Sequence, residues 1–491
     1  MKQRLLSSSR LTKSLAAASA LAVAGSLTWV SVGAQAAPAH VTNPAGTVLQ
    51  TNLVSDLPGV ADITDPNLQN PWGISESSGS PFWFSDNNSG LSTLYSVPAA
   101  GATPPVSIVP LVVTIPTPVS PTGGAPSGTV FNTASGAGAF KVTATNSSGQ
   151  SVSAPAAFLF DTEDGTILGW NPTVEATAAV IAVDNSGNNF TNPDPNQQTG
   201  AVYKGLAIAT STTPIFSSDA SSTALLYASN FRAGTVDVYD ASWTKVTLPP
   251  GAFTDRHLPF GYAPFNVQVL SGKVYVTYAL QDATRHDDLA GRGRGFVDVY
   301  NLDGSPGLPH GQVRLISRGA LDSPWGLAIA PAGFAGFTAQ GNDPVLLVGN
   351  FGNGHIHAYD AATGSWLGRL KDSDGESIVI SKLWALQVGN GGSGGATNTV
   401  YFTAGPFDET HGLFGSLTTA APGSPEGPAE GQWVTANLDV VQLALQQLNT
   451  DVANGASAAT INADRQALNA ATLAFEQAEQ AYGADSVHDA G

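Results

Sequence analysis

Cysteine is absent from this sequence of 491 residues, methionine occurs once, and charged residues make up only 11% of the chain. Globular domains typically carry about 25% charged residues. The lack of cysteine excludes disulfide bonds, cysteine-ligated zinc, iron–sulfur clusters and catalysis by a thiol. The chain must therefore close its fold by strand pairing and packing, without covalent cross-links.

Positive charge is also scarce. Lys and Arg together number 19 against 37 Asp and Glu, which gives a formal net charge of -18. A protein that binds nucleic acid through its phosphates needs clustered Lys and Arg to release counterions. The composition therefore excludes nucleic acid as a partner.

The amino terminus has the pattern of a secretory signal peptide. Lys2, Arg4, Arg10 and Lys13 precede an uncharged, Ala- and Leu-rich stretch, residues 14–33, and the small-residue sequence Ala-Gln-Ala closes it at position 36. We expect residues 1–36 to be removed. The competing interpretation is a retained membrane anchor. Cleavage removes four positive charges and no negative ones, so the net charge moves from -18 to -22.

No later segment is predicted to cross a membrane. The best later candidate for a membrane-spanning segment, residues 106–119, is interrupted by Pro110, Pro116 and Pro118. The sequence thus predicts an exported protein, periplasmic or extracellular, without a membrane span after signal cleavage.

A six-fold repeat organises residues 47–417. Each copy contains a short apolar strand, a turn and a second strand with an aromatic residue near its end, as in Leu-Leu-Tyr-Ala-Ser-Asn (225–230) followed by Val-Asp-Val-Tyr (236–239). Such alternation is typical of a strand with one buried face. An inner-strand motif, often containing Trp-Gly or a related pair, precedes each hairpin at residues 70–74, 127–131, 203–207, 263–267, 323–327 and 382–386.

Successive inner-strand motifs lie about 60 residues apart, which accommodates the four short strands of one β-propeller blade. Fourth strands are predicted at residues 106–111, 179–184, 244–248, 312–317 and 365–370. The sixth copy lacks one, and residues 47–55 would supply it and close the ring. We therefore predict an all-β fold, a six-bladed β-propeller closed by an N-terminal strand. A β-sandwich, the alternative, would not explain six motifs at similar spacing.

Several motifs resemble an uncharacterised family of bacterial exported NHL-like six-bladed β-propeller proteins. The similarity covers about three quarters of the chain and implies fold and export, but the family has no established activity. The motifs that carry it lie at residues 52–56, 70–73, 160–167, 281–288, 293–300, 323–326 and 349–352.

The C-terminal region is predicted to be a separate helical element. A Pro- and Gly-rich linker, residues 418–431, precedes apolar residues at helical spacing on both sides of Gly455. We expect a helical hairpin over residues 432–483. Its apolar stripe would dock on the propeller, pair within the hairpin, or mediate oligomerisation or surface attachment.

Four polar residues occupy matching positions at the end of the second strand of a blade. Carboxylate and amide oxygens suit a hard cation, so these residues predict a calcium site in the channel. The competing interpretation is ordinary turn chemistry, because Asp and Asn commonly follow strands. The four residues are Asp86, Asp161, Asn230 and Asn350.

The long loop 281–295 is the strongest candidate for chemistry. His286 beside Asp287 could act as a general base held in one tautomer, or form part of a metal site. The alternative is a loop in which its Arg and Asp residues pair with one another. The loop 407–412 of the sixth blade also mixes carboxylates and His. The predicted channel rim comprises Asp282, Arg285, His286, Asp288, Asp408, Glu409 and His411.

Two functions follow from these features. The first is an exported propeller that binds a small molecule, a glycan or a protein on its channel face, without catalysis. The second is a calcium-dependent, lactonase-like hydrolase. Trp72, Trp325 and Trp384 occupy equivalent positions and are interpreted as packing between blades rather than as a carbohydrate platform.

Overall fold

The structure is a computed structural model, and it describes residues 45–98, 105–145, 149–187, 200–216, 219, 221–420, 444–452, 454–463 and 465–468. The predicted signal peptide and residues 421–431 of the predicted linker 418–431 lie outside these residues. Thr418 and Thr419, predicted to belong to that linker, are part of the last strand. Within the described part, no helix is both long and apolar enough to cross a membrane.

Two strands precede the first blade, β1 (Val48–Ser55) and β2 (Ile63–Thr64). Blade one contains β3 (Pro71–Ser75), β4 (Phe82–Asp86), β5 (Leu91–Ser92), β6 (Leu94–Ser96), β7 (Ser107–Ile108) and β8 (Val113–Thr114). Blade two contains β9 (Pro126–Phe131), an inserted hairpin of β10 (Lys141–Thr145) and β11 (Ser151–Pro155), then β12 (Phe158–Thr162), β13 (Thr166–Trp170) and β14 (Val180–Asp184). Blade three contains β15 (Tyr203–Thr210), β16 (Ala224–Asn230) and β17 (Thr235–Asp240).

Blade four contains β18 (Tyr262–Leu270), β19 (Lys273–Leu280), β20 (Phe296–Tyr300) and β21 (Arg314–Ser317). Blade five contains β22 (Pro324–Ile329), β23 (Val345–Asn350), β24 (Ile356–Asp360) and β25 (Trp366–Arg369). Blade six contains β26 (Leu383–Val388), β27 (Thr399–Ala404) and β28 (Leu413–Thr419). Short 3₁₀ segments lie at Ser135–Ala137, Pro309–Gly311, Phe334–Gly336 and Gln340–Asn342.

The predicted closure of the ring is confirmed. β1 pairs antiparallel with β28, from Val48 opposite Thr419 to Ser55 opposite Leu413, with one irregularity after Asn52. β28 also pairs with β27, and β27 with β26, so the N-terminal strand completes blade six. The fold is therefore a six-bladed β-propeller whose first and last strands share one sheet.

The glycine of the inner-strand motif has a steric cause. A Cβ atom on Gly73 would lie 2.7 Å from the carbonyl oxygen of Ser127 in the next blade, and one on Gly128 would lie 2.4 Å from the amide nitrogen of Leu206. Gly205 and Gly326 similarly face the inner strands of the blades that follow them. At these four junctions the next inner strand approaches so closely that glycine is required, whereas blades four and six carry Asn266 and Ala385 at this position.

The side chains one residue earlier in the inner-strand motif fill the centre of the ring. Trp72 stacks on Trp384 with ring centroids 3.7 Å apart, and both rings meet Trp325 edge-on. All three indoles are at most 3% exposed. These contacts join blades one, five and six, as the packing interpretation predicted. The contacts continue through Phe351 and Phe265 to Phe231 of blade three.

The predicted fourth strand of blade three is wrong. Residues 244–248 form no strand, and only Lys245 makes a bridge, to Tyr239. Pro249 and Pro250 follow directly and lack the backbone donors that a ladder needs.

The inserted hairpin of blade two, which the sequence analysis did not predict, packs against this part of blade three. The Trp243 indole nitrogen donates to the carbonyl of Lys141 at 2.7 Å, and the Trp243 ring meets Phe140 edge-on. The Phe140 amide also donates to the carbonyl of Ala241 at 2.7 Å. The hairpin therefore supports blade three where its fourth strand is lacking.

The outer part of blade one also differs from the expectation. The predicted strand over 106–111 is two short strands, β7 and β8, because Pro110 interrupts the pairing. β7 pairs with β6, and β8 pairs with β5.

Helical residues are present on both sides of Gly455, at 444–452, 458–463 and 465–468, as predicted. Gly455 has a positive φ of 67°, which favours glycine at a helix end. The rest of the predicted hairpin lies outside the described residues, and what its apolar stripe contacts stays a prediction.

Phe414 provides a test of the closure. Its buried ring lies on β28 and contacts Phe82, Phe84 and Tyr95 of blade one. We expect Phe414→Ala to lower the free energy of unfolding by about 3–5 kcal/mol, measured by urea denaturation, because it leaves a cavity where blades one and six meet. The exposed Val119→Ala should change it by less than about 0.5 kcal/mol. Equal effects of the two substitutions would contradict this account of closure.

Candidate functional site

One end of the ring gathers the chemically active residues. Each inner strand begins beside the end of its blade's second strand, as Pro71 lies opposite Asp86 and Tyr203 opposite Asn230. The loops that follow the second strands therefore meet at this end, which we call the channel mouth. The charged residues around the inner-strand residue Lys204, here the mouth cluster, are Glu163, Lys204, His286, Asp287, Asp288, Lys382 and Glu409.

Lys204 is the buried centre of the mouth cluster. It occupies the inner-strand position that holds tryptophan in blades one, five and six, and it is 2% exposed. Its ammonium forms an ion pair with Glu163, lies 3.3 Å from the carboxylate of Asp287, and sits 4.9 Å from the ring centroid of Trp72. Burial acts to lower the pKa of Lys204, but the two carboxylates outweigh burial and raise it. The residue is therefore a fixed positive charge.

Glu163 connects blade two to this lysine. It lies in the turn between β12 and β13, where its backbone amide donates to the carbonyl of Ala125 at 2.9 Å. One carboxylate oxygen binds Lys204, and the other accepts a hydrogen bond from Asn87 of blade one at 2.9 Å. Both oxygens are thus held in place before any ligand arrives.

The loop 281–295 presents a His–Asp pair to the same lysine. The Nδ1 atom of His286 lies 2.8 Å from Oδ1 of Asp287, and this same oxygen faces Lys204. The hydrogen bond with His286 is the largest of several effects that lower the pKa of Asp287. The His286 side chain is about one-third exposed, so solvent reaches part of it.

Asp282 shapes this loop. Its carboxylate accepts a hydrogen bond from the amide of His286 at 2.9 Å, and its own amide donates to the carbonyl of Asp287. Arg285 adopts a positive φ of 55° at the turn. Arg294 donates to the carbonyls of Leu289 and Ala290. The loop is therefore held by backbone contacts, and Asp287 turns towards the channel instead of pairing with the arginines of its loop.

Blade six contributes Glu409 and Lys382. One oxygen of Glu409 accepts a hydrogen bond from Asn70 at 3.2 Å, and Lys382 lies 3.1 Å from Asp408 and 3.9 Å from Glu409. Burial raises the pKa of Glu409 to about 7 against the opposing charge of Lys382. The carboxyl group therefore titrates near neutral pH.

Asp288 and His411 occupy different surroundings. Burial raises the pKa of Asp288, while Lys204 and Lys382 act in the opposite direction, so Asp288 belongs to the mouth cluster. The Nδ1 atom of His411 lies 2.8 Å from Asp56, in the segment after β1. His411 thus contacts the closing strand's end, although its loop also carries Glu409.

The four residues of the predicted calcium ring make separate local contacts. Asn230 accepts a hydrogen bond from the amide of Ala233, and Asn350 accepts one from the amide of Asp322. Both amide oxygens therefore already accept a hydrogen bond from the backbone.

The two carboxylates of that ring are fully buried. One oxygen of Asp161 accepts hydrogen bonds from Ser127 and Gly128, and one oxygen of Asp86 accepts from the amide of Thr93. Burial raises the pKa of Asp161 to about 7 and that of Asp86 well above its usual value. Oδ1 of Asp86 and Oδ2 of Asp161 have no hydrogen-bond partner among the described residues, and a calcium ion shared by these four residues stays a prediction.

Within the described residues, one group of carboxylates and histidine has metal-ligand spacing. It comprises Glu163, His286 and Asp287, with one donor atom from each within 4.8 Å of the others. His286 and Asp287 were predicted from the loop 281–295, whereas Glu163 and Lys204 were not predicted. A lone lysine at a position that is aromatic in four other blades was the available signal.

The fold and the mouth cluster together define a six-bladed propeller with a charged site at one end of a closed centre. No protein-family model matches the chain. It is similar to two uncharacterized proteins of Acanthamoeba polyphaga mimivirus. One is 26% identical over 370 residues, covering 74% of this chain and 78% of the relative. The other is 28% identical over 371 residues, covering 74% and 84%. These relatives are viral, so they do not support the bacterial origin or the export that the resemblance implied.

Solved propeller structures show weaker likeness. An alpha-L-arabinofuranosidase of Fusarium graminearum in complex with arabinobiose has a TM-score of 0.42 at 9% identity, over 76% of this chain and 98% of that chain. A streptogramin B lyase has a TM-score of 0.32 at 10% identity, over 76% and 97%. Likeness at this level carries no inference about activity.

The raised pKa of Glu409 predicts a pH-dependent stability difference. As the pH rises from about 4.5 to about 7, the folded chain keeps a proton that the unfolded chain has released, so the wild-type protein loses stability relative to Glu409→Gln. The side chain is 31% exposed, so we expect a loss on the order of 2 kcal/mol. Urea unfolding at pH steps from about 4 to about 8 measures it.

The matched control is Asp343→Asn, which removes one exposed carboxylate from the loop before β23, at the end of the blade away from the mouth. The free energy of unfolding of Asp343→Asn, plotted against pH, should run parallel to that of the wild type. A Glu409→Gln curve that is also parallel would show that this carboxyl does not titrate as described.

Proposed function

We propose that this protein is an exported β-propeller that binds a small ligand carrying a positively charged amine at the channel mouth. One observation carries the proposal: carboxylates from blades two, four and six face one lysine at the end of a closed channel. The signal-peptide pattern of residues 1–36 supports export.

The closed centre makes the mouth a blind site. The tryptophans of blades one, five and six stack across the axis and are at most 3% exposed. A ligand can therefore approach the mouth cluster from one side only. Concave sites that end blindly bury most of a small ligand and are the usual form of binding pocket.

Charge at the mouth favours an amine. The side chain of Asp287 is 68% exposed and that of Asp408 is 84% exposed, whereas Lys204 is 2% exposed. The charge that an approaching ligand meets first is therefore carboxylate. An ammonium group offers three donors, and its hydrogen bonds to ionised carboxylates are stronger than bonds between neutral groups. The acidic balance of the whole chain adds to this attraction.

The polar groups are also preorganised. Asn87 and Lys204 hold Glu163, His286 and Lys204 hold Asp287, and Asn70 holds Glu409. Ligand binding therefore orders few additional side chains, which lowers the entropic cost of association. A propeller without a ligand at this end would have little need for so many charged groups beside a buried core.

Glucosamine and N-acetylglucosamine test the proposal because acetylation removes the positive charge. Isothermal titration calorimetry at pH 7.5 should show saturable binding of glucosamine with a Kd of about 1 mM or tighter, and binding of the acetylated sugar at least about tenfold weaker. Asp287→Asn and Glu409→Gln should each weaken the amine about tenfold or more, since each removes a charged acceptor.

The control Asp343→Asn removes an exposed carboxylate away from the mouth and should leave binding unchanged. Equal binding of both sugars, or equal binding by the wild type and both mouth variants, would refute the proposal for this ligand class.

Hydrolysis of a lactone is the second candidate, and the 2.8 Å contact between His286 and Asp287 favours it. If Nδ1–H donates to Asp287, Nε2 is free to remove a proton from water. The water oxygen then bonds to the lactone carbonyl, the ring C–O bond breaks, and the leaving oxygen takes the proton back from the imidazolium. Asp287 stabilises that imidazolium throughout.

A pH-stat assay with a simple lactone distinguishes this candidate. His286→Gln should lower the rate at least about 100-fold, because general-base catalysis contributes that much. The exposed His310→Gln, in the segment between β20 and β21, is the matched control and should retain the wild-type rate. A rate that is equal in all three proteins would exclude His286 as the base.

A further inference from the structure

The donor atoms of Glu163, His286 and Asp287 have the arrangement of a mixed nitrogen and oxygen metal site. Nδ1 of His286 lies 2.8 Å from Oδ1 of Asp287 and 4.0 Å from Oε1 of Glu163. Small side-chain movements would bring three such donors to the bond lengths of about 2.0–2.2 Å that Zn²⁺ takes with nitrogen and carboxylate ligands.

A positive charge already lies among these donors. The ammonium of Lys204 contacts the same Oε1 of Glu163 and the same Oδ1 of Asp287 that would bind an ion. A divalent ion bound to these two atoms would lie in contact with a fixed ammonium, and two positive charges at contact distance repel strongly in a partly buried site. The ligand amine proposed above instead meets the exposed carboxylates of Asp287 and Asp408 from the solvent side.

Lys204 cannot easily leave this place. The residue is 2% exposed, its ammonium lies over Trp72, and its backbone carbonyl accepts a hydrogen bond from the Trp325 indole at 2.8 Å. Its aliphatic stem is held between aromatic rings of the closed centre, with Phe231 on another side. Displacement by an ion would bury an unpaired ammonium or require the packing of the centre to open.

We propose that Lys204 is a resident cation that takes the place of a metal ion, so that the mouth assembles without a divalent ion, and that its removal converts Glu163, His286 and Asp287 into a Zn²⁺ site. This inference concerns the assembly of the mouth and does not depend on which ligand binds there. It also explains why the carboxylates of blades two and four can lie together, since the ammonium neutralises their repulsion.

The identity of the donors selects the ion. Imidazole nitrogen together with carboxylate oxygen suits Zn²⁺, whereas Ca²⁺ prefers six to eight oxygen ligands. The converted site should therefore favour Zn²⁺ over Ca²⁺.

Titration of the full-length protein with ZnCl₂ tests the inference, with CaCl₂ as the second probe. Lys204→Met removes the ammonium and keeps an aliphatic side chain, and Lys204→Arg keeps the charge. By isothermal titration calorimetry, Lys204→Met should bind one equivalent of Zn²⁺ at least about tenfold more tightly than the wild type or Lys204→Arg. Ca²⁺ should show no such gain, and Lys204→Met combined with Glu163→Gln should lose it.

Two results would overturn the inference. One is a wild-type protein that binds one equivalent of Zn²⁺ as tightly as Lys204→Met, with binding lost in Glu163→Gln. The other is a folded Lys204→Met, shown by circular dichroism, that gains no Zn²⁺ affinity. Lys204→Gln replaces the methionine variant if that protein does not fold, because its amide can still donate to Glu163.

Discussion

The antiparallel pairing of β1 with β28 is the interaction on which the rest of the structure depends. It joins the two ends of the repeat in one sheet, so neither the first nor the last strand of the ring is left unpaired. The chain has no cysteine, so backbone hydrogen bonds between the two strands hold this closure without a disulfide. Phe414 on β28 reinforces it by packing against aromatic side chains of blade one.

Closure of the ring also determines which kinds of residue can occupy its centre. Inner strands that approach as closely as Gly73 and Ser127 leave little room on the axis, and indole rings fill that room. The polar loops are therefore confined to the mouth. There Lys204 replaces an aromatic residue, and its buried charge is stabilised only because Glu163 and Asp287 pair with it. The same pairing holds those two carboxylates close together.

The repeated motifs made the fold predictable from the sequence. The segments that depart from the repeat were not predicted correctly. All six inner-strand motifs lie at or within inner strands, and glycine in the motifs of blades one, two, three and five allows the close approach of the next inner strand. The strand predicted at 244–248 is absent, since two prolines follow it, and the hairpin β10–β11 follows no repeat at all. At the mouth, the length and composition of loop 281–295 pointed to His286 and Asp287. Nothing local pointed to Glu163, which lies far along the chain in an ordinary turn.

The sequence by itself determined the class of fold, the number of blades and the strand that closes them, because those features depend on periodic local patterns. Tertiary structure alone decided which charged side chains meet. Glu163 and Lys204 are 41 residues apart, and Lys204 and Asp287 are 83 apart. A ring of blades brings such residues to one axis, since the loops after the second strands converge there whatever their separation in the chain. Ion pairs between residues of different blades therefore depend on the geometry of the ring, and the spacing of residues within one blade does not predict them.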